Sequence, residues 1–487
     1  MKKVISTFLV AAMSFCATTA KADNIGLQDA KAAAAYFMAA YTGADKLTAD
    51  DVDLVYQIDN EKLNIPAVYF FNIGANGWVI MGGSSVIDPI IGYSDEGSLD
   101  IDRLPANMMW WVEGYADIVS EVQELDMENV YADHPTWTGL KDKTYAPSTK
   151  ATIQLLNSKW GQGDNDTPTY NYFCPQNSAG KYSVTGCVAT ALAQICYYYK
   201  SPRRPTGTAS YWLHTVTSDS TMPHTQLKIN YDTLTPFNYE LMPEQPTYRN
   251  GVQKCTDEEM HEVARLNYAL GVAVKMGYGI NSSGAVSQYV PNYMKKYFKF
   301  TQSSLKERSG NTDTAYISAI RNEILNGHVV YMKGASPDGG THARHAFVCA
   351  GYNDGTNKYL MNWGWDGGGN GWFDLAANNM AISGYGYNFY KEQGAIIGMH
   401  PTEVQGVDDV ENTELGSPYP NPATQTVTLP FSTEVAGDLV IYSIDGKRVS
   451  SCHVQAGLGE VKVDVNGMPA GVYIYRLHSQ SGKFMVR

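Results

Sequence analysis

Two segments carry residue types suited to nucleophilic catalysis. In Thr185-Gly186-Cys187-Val188-Ala189-Thr190-Ala191-Leu192-Ala193-Gln194-Ile195, apolar residues at 188, 191, 192 and 195 predict a helix with a continuous inner face. Gly186 lets the chain turn sharply into it. Cys187 then stands in the first turn, where the helix dipole and free N–H groups stabilise a thiolate. A buried cysteine in an Ala-rich core helix is the competing reading, and Cys196 fits it well.

The second segment is Gly339-Gly340-Thr341-His342-Ala343-Arg344-His345-Ala346-Phe347-Val348-Cys349-Ala350-Gly351-Tyr352. An apolar strand follows His345, then the turn 353–357, then a second strand, Tyr359-Leu360-Met361-Asn362-Trp363-Gly364-Trp365, so a β-hairpin is expected. A loop of four residues, 354 to 357, puts positions 345 and 362 on one face; a five-residue loop puts them on opposite faces. The first register suits catalysis, because an Asn carbonyl oxygen can fix the tautomer of a His whose other nitrogen faces a thiol. Such a nucleophile and base meet in space rather than in sequence. Gln162, in Trp160-Gly161-Gln162-Gly163, could donate its amide to an oxyanion alongside the Cys187 N–H, although an exposed loop Gln is the commoner case.

Other signals carry less. His342 and His345 are spaced for zinc on a helix, but the preceding glycines and following strand pattern argue against a helix. Asp164-Asn165-Asp166 and Asp366-Gly367-Gly368-Gly369-Asn370 lack an EF-hand loop or a Gly-Lys-Ser/Thr tail, and the latter reads as a mobile cleft wall. No metal or cofactor is implied. The 487 residues carry 36 Lys plus Arg against 49 Asp plus Glu, a net charge of −13, which argues against a dedicated nucleic-acid binder.

The positioning elements fall into distinct stretches. Lys2, Lys3, an apolar run to Phe15 and Ala20-Lys21-Ala22 read as a signal peptide over 1–22; no other run is long enough to span a membrane. Residues 23–143 mix helical (Asp29 to Tyr41) and strand-like (Ala67 to Met81) patterns and end in the polar Lys141 to Thr144, a candidate processing linker. Residues 144–400 read as α+β and 401–413 as an acidic linker; 414–487 read as a small all-β sandwich, with turns at Asp445-Gly446 and Asn466-Gly467. Of the seven cysteines six remain after signal removal, sparse enough that at least one is expected to stay a thiol.

Taken together, Trp160-Gly161-Gln162, Tyr170-Asn171, the Cys187 segment, His345-Ala346-Phe347-Val348 and Asn362-Trp363-Gly364-Trp365 resemble the streptopain/interpain family of secreted bacterial cysteine peptidases. The resemblance implies a papain-like catalytic domain with Cys187 as nucleophile, His345 as base and acid, Asn362 as orienter, Gln162 and Cys187 at the oxyanion, and Trp363 shielding the His-Asn bond. It implies substrate contacts at Ser282, Ser283, Gly284, Arg344 and Trp365; the family usually has Gly where this chain has Arg344. Gly77-Trp78-Val79-Ile80-Met81 and Ile91 to Ser98 resemble the family's α+β inhibitory propeptide, so a latent zymogen is expected, with Ser94 to Ser98 the candidate for displacing His345. Pro418 to Pro422, Ile441 to Lys447 and Pro469 to Tyr473 resemble the sorting domain of type IX secretion. The partners implied are protein or peptide substrates, the chain's own propeptide and the secretion machinery. A transglutaminase-like acyl transferase and an adhesin with an inactive peptidase-like domain remain as alternatives.

Overall fold

The computed structural model describes residues 23–44, 47–74, 76–124, 133–147, 152–248, 250–309, 313–335, 344–375, 393–402, 414–433, 437–444, 448–455, 457–477 and 480–487. The signal peptide, His342, most of the 401–413 linker and the Asp445-Gly446 turn lie outside them. By contact density the chain divides into two units. One comprises residues 1–102, 109–147 and 377–389, the other 103–108, 148–376 and 390–487.

In the first unit, helix α1 (Leu27–Thr42) turns an Ala-rich face inward, burying Ala30, Ala33, Ala34, Phe37 and Met38, and ends at Gly43 in the left-handed region that favours glycine. Four antiparallel strands follow in meander order: β1 (Val52–Asn60), β2 (Ile65–Ile73), β3 (Trp78–Gly82) and β4 (Ile90–Ser94). The strand-like stretch Ala67 to Met81 is therefore a hairpin, because Gly74 and Gly77, both at positive φ, reverse the chain between β2 and β3. Helices α2 (Ala106–Glu124) and α3 (Pro135–Lys141) complete the series. The polar stretch to Thr144 is exposed, as its composition suggests.

The second unit is built on helix α4 (Cys187–Tyr199), in which every residue from Cys187 to Tyr197 is buried. It packs against α5 (Asp257–Ala273), whose Thr256–Glu259 capping box satisfies the free N–H groups of the first turn. It also packs on the central strand of a sheet drawn from β8 (Ser304–Glu307), β9 (Val330–Gly334), β10 (His345–Asn353), β11 (Lys358–Asn362), β12 (Gly371–Phe373) and β13 (Gly394–Ile397). Within this unit the order is β12-β11-β10-β9-β13-β8, all antiparallel. Ala346, Val348 and Ala350 of β10 share one core with Val188, Ala191, Leu192 and Ile195 of α4.

The hairpin has the expected loop, since Asn353 pairs with Lys358. The faces nevertheless differ from expectation. β10 exchanges neighbours part-way, pairing with β9 through Cys349 and with β5 (Thr152–Gln154) from Gly351, and a bulge at Ala350 accommodates the change. The extra residue is not wasted: the Ala350 carbonyl accepts the Leu155 N–H at 2.8 Å. One inserted residue inverts the alternation beyond it, so Asn362 pairs with Val348, not with a residue on His345's face. His345 and Asn362 thus lie on opposite sides of the paired strands, a correction to the four-residue-loop argument.

The C-terminal strands form two sheets. One holds Glu414–Leu415, Thr426–Thr433 and Gly457–Asp464; the other holds Gly437–Ser443, Arg448–Val454, Gly471–Leu477 and Gln480–Val486. They enclose a core of Val427, Leu429, Leu439, Ile441, Tyr473, Tyr475 and Phe484, the alternating inward set expected of a sandwich. Gly467, at φ 83, turns the chain between the sheets.

Gly351 is the residue on which the bulge depends, for a Cβ there would lie 2.3 Å from the Ile153 carbonyl oxygen. Gly351→Ala should detach β5 from β10 and destabilise the unit by about 1–3 kcal/mol. Hydrogen exchange should show the loss first at residues 152–155; unchanged protection there would refute the assignment.

Candidate functional site

Gly186 brings the chain into α4 at φ 84, and a Cβ there would lie 2.7 Å from the Ser283 carbonyl and 2.8 Å from the Met276 sulfur. Both backbone conformation and close packing demand glycine. Cys187 is consequently the first helical residue, and the N–H groups of Ala346, Val188 and Cys187 itself are directed at its sulfur. These donors favour a thiolate, as expected for the first turn. Burial outweighs them and holds the Cys187 thiol above its ordinary value.

The Gln162 segment is tied to the same helix terminus. The Gln162 carbonyl accepts the Thr185 N–H at 3.1 Å, and the Thr190 hydroxyl lies 2.9 Å from that of Thr185 while also reaching the Gly161 carbonyl at 3.4 Å. Among the described residues the Gln162 Nε2 is buried without a hydrogen-bond partner. A buried amide donor left open is costly unless something arrives to accept from it. That is the condition expected of an oxyanion donor before substrate binds.

His345 begins β10 and is half-buried, with its neighbour Ala346 presenting its N–H to Cys187. Burial pulls the imidazole down to about 4. Both shifts run against the charged forms, so burial opposes a thiolate–imidazolium pair in this arrangement.

Asn362 is fully engaged elsewhere. Its Nδ2 donates to the Ser158 carbonyl at 2.6 Å and to Gln194 Oε1 at 2.9 Å, while its Oδ1 accepts from the Gly364 N–H at 3.1 Å and from Gln194 Nε2 at 3.3 Å. The expected His345–Asn362 bond is absent because the bulge turns Asn362 toward α4. Trp363 accordingly has no such bond to shield. Its ring is buried between Phe347 and Phe373, with Nε1 donating to the Gly369 carbonyl at 2.9 Å, and the indole that meets His345 is that of Trp365, 5.9 Å away edge-on.

Of the candidate substrate residues, Ser283 is buried: its hydroxyl donates to the Val184 carbonyl at 2.7 Å and accepts the Gly279 N–H at 3.0 Å, supporting the turn before Gly186. Ser282, Gly284, Arg344 and Trp365 are exposed. Sequence reasoning missed Gln194, Ser158 and Thr190, which no periodicity marks as more than helix or loop residues. The six cysteines after residue 22 are all unpaired thiols, including the buried Cys174, Cys196 and Cys349.

With this geometry in place, the likeness to known proteins can be stated. The peptidase C10 family profile matches residues 160–373. Streptopain of Streptococcus pyogenes is 30% identical over 377 residues, covering 74% of this chain and 85% of streptopain. The chain belongs to the peptidase C10 family. A thiol protease/hemagglutinin of Porphyromonas gingivalis is 28% identical over 72% of this chain and 38% of that protein. A prointerpain A fragment of Prevotella intermedia superimposes with a TM-score of 0.54 at 23% identity, covering 72% of this chain and 99% of the fragment, and so shares the fold. A Spi protease inhibitor domain matches residues 22–119 and a secretion system C-terminal sorting domain residues 417–487. This C10 member is therefore a cysteine protease with a prodomain, and its sorting domain implies secretion or display at the cell surface. No helix among the described residues is long and apolar enough to cross a membrane.

In the full-length C10 protease, Cys187 should react slowly with iodoacetamide at pH 7. A thiol raised by burial gains thiolate only as pH climbs past its ordinary range of about 8.5, and an imidazole lowered to about 4 offers no cation at neutrality to stabilise that thiolate. The rate, followed by peptide mapping, should rise about tenfold per pH unit there. A plateau already reached below pH 7 would show a preformed thiolate–imidazolium pair and contradict the structure.

Proposed function

We propose that the chain is a secreted cysteine endopeptidase made as a latent zymogen, with Cys187 as nucleophile. The reading is carried by Cys187 at the first turn of α4, with backbone N–H groups that favour its thiolate, and by the open amide of Gln162, whose own carbonyl accepts the Thr185 N–H two residues before the nucleophile. His345, once turned to Cys187, takes the thiol proton and becomes imidazolium as Cys187 Sγ attacks the scissile carbonyl carbon, forming a C–S bond and a tetrahedral oxyanion held by Gln162 Nε2 and the Cys187 N–H. His345, as imidazolium, gives its proton to the leaving amine while the C–N bond breaks. It then takes a proton from the water whose oxygen attacks the thioester, and returns that proton to the Cys187 sulfur as the C–S bond breaks and the acid is released.

Latency is supported by three features. Burial disfavours the charged forms of Cys187 and His345, His345 lies off the face of Asn362, and residues 103–108 cluster with the catalytic unit. Within that cluster the Asn107 amide donates to the Trp363 carbonyl at 3.3 Å. Activation then consists of freeing the start of β10 so that His345 can turn to Cys187 and be oriented by Asn362. The Ser94 to Ser98 turn, a candidate for displacing His345 or an ordinary hairpin turn, is braced by its own unit: the Asn76 amide donates to the Asp95 carbonyl at 3.1 Å, and Asn76 Oδ1 accepts from the Gly97 N–H.

The domain reading places a signal peptide at 1–22, the propeptide at 23–143, the peptidase at 144–400, a linker at 401–413 and the sorting domain at 414–487. Export runs through the Sec route and the periplasm, and the C-terminal sandwich engages the secretion machinery. Substrates are proteins or peptides.

Intact mass followed over time under reducing conditions tests the reading. Wild type should lose its N-terminal segment and yield a product that cleaves casein, whereas Cys187→Ala should stay whole and inactive. Processing and full activity in Cys187→Ala would sink the assignment, as would a wild-type chain from which added protease releases no activity.

A further inference from the structure

The Gln162 segment is held from a second side, independent of the nucleophile helix. Asp366, in the loop after β11, lays its carboxylate directly on Gly161: a Cβ on Gly161 would lie 2.6 Å from each carboxylate oxygen. The Asp366 N–H donates to the Trp160 carbonyl at 3.3 Å. On the other side of the carboxylate, the Thr247 hydroxyl donates to Asp366 Oδ1 at 2.6 Å, and the Tyr170 hydroxyl lies 2.7 Å from Thr247 Oγ1. Tyr170 and Thr247 are wholly buried. The Tyr170 hydroxyl also reaches the Lys159 carbonyl at 3.5 Å, one residue before Trp160.

Four chain segments that are separate in sequence meet at this carboxylate. Asp366 itself has φ 53, a left-handed conformation that few non-glycine residues adopt. Burial raises its pKa, while the bonds from Thr247 and Tyr170 pull it down. Gly161 and Asp366 are matched in shape as well, because any side chain at 161 would occupy the position of the carboxylate.

We propose that Asp366 is a positioning residue for the oxyanion hole: with Thr247 and Tyr170 it forms a buried brace that fixes Trp160-Gly161 and thereby aims the Gln162 amide. The proposal rests on the reading of Gln162 as an oxyanion donor. An oxyanion donor acts on the transition state more than on bound substrate, so a loosened brace lowers kcat and leaves KM nearly unchanged.

The test compares self-processed wild type with Asp366→Ala, Asp366→Asn, Thr247→Val and Gln162→Ala, all expressed as the full chain. Asp366→Ala should lower kcat by about tenfold or more with KM within about twofold. It should weaken a peptide aldehyde, whose thiohemiacetal carries the oxyanion, by a similar factor. Iodoacetamide alkylation of Cys187, which forms no oxyanion, should stay within about twofold of wild type. Asp366→Asn keeps an acceptor for Thr247 and should restore most of the activity. Should Asp366→Ala fail to accumulate folded, Thr247→Val removes the donor instead and carries the same expectation.

Wild-type kcat in both Asp366→Ala and Thr247→Val would overturn the brace. So would equal losses in KM, aldehyde affinity and alkylation, or failure of Asn to rescue. Gln162→Ala separates the two claims. If it loses kcat while the brace variants do not, the oxyanion reading stands and the brace falls; if it keeps wild-type kcat, there is no donor to aim and both fall.

Discussion

The catalytic unit depends on the dryness of one helix. With Cys187 to Tyr197 all buried, every polar side chain along α4 must find a partner inside the protein or leave a costly vacancy. The partners it finds are the loops that carry the chemistry. Thr190 holds Gly161 and Thr185, and Gln194 holds Ser158 and Asn362. A helix packed on all sides by Ala, Val, Leu and Ile would bury as much apolar surface but would leave those loops unclamped. The conformational demand at Gly186 follows from the same packing, since the chain must enter the helix between Ser283 and Met276 with no room for a side chain.

The second determinant is the bulge at Ala350. It lets one strand serve two neighbours, β9 before it and β5 after it, and the added residue sets which side chains look toward α4. Asn362 is drawn to that side and saturated by Ser158 and Gln194; His345 and Phe347 face the indoles of Trp365 and Trp363. Register here governs electrostatics. Separated from the Asn carbonyl that would stabilise its cation, His345 is held below its ordinary pKa by burial.

Much of this was legible from sequence because it rests on local patterns. The apolar spacing after Gly186 marks α4, the Asn353 to Asn357 turn marks the hairpin, and alternating runs mark the C-terminal sandwich. What was not legible arises from exceptions to periodicity. Ala67 to Met81 reads as one strand until Gly74 and Gly77 are given their turning role, and counting loop residues predicts the wrong face for Asn362 because a bulge is invisible to a count. Gly351 inside a strand was the available signal for that bulge. Gln194 and the Asp366–Thr247–Tyr170 cluster left no mark, since their partners come from segments distant in sequence. Asp366 in particular sits in a Gly-rich stretch that reads as a mobile wall, yet its carboxylate accepts the Thr247 hydroxyl at 2.6 Å and lies against Gly161.

Burial pulls the site in two directions. Excluding water strengthens donors aimed at a developing oxyanion, and the Gln162 amide gains by it. The same exclusion opposes the thiolate and the imidazolium that must start the reaction, so the burial that favours the oxyanion donors disfavours the charged forms of Cys187 and His345. The two requirements can be met in succession if they are assigned to different elements. The oxyanion side is fixed rigidly, by α4 through Thr190 and by Asp366 through Gly161. The charge-generating side is placed at the first residue of a strand, where β10 begins. A change confined to the start of β10 could then create the ion pair without disturbing the donors that the ion pair will use.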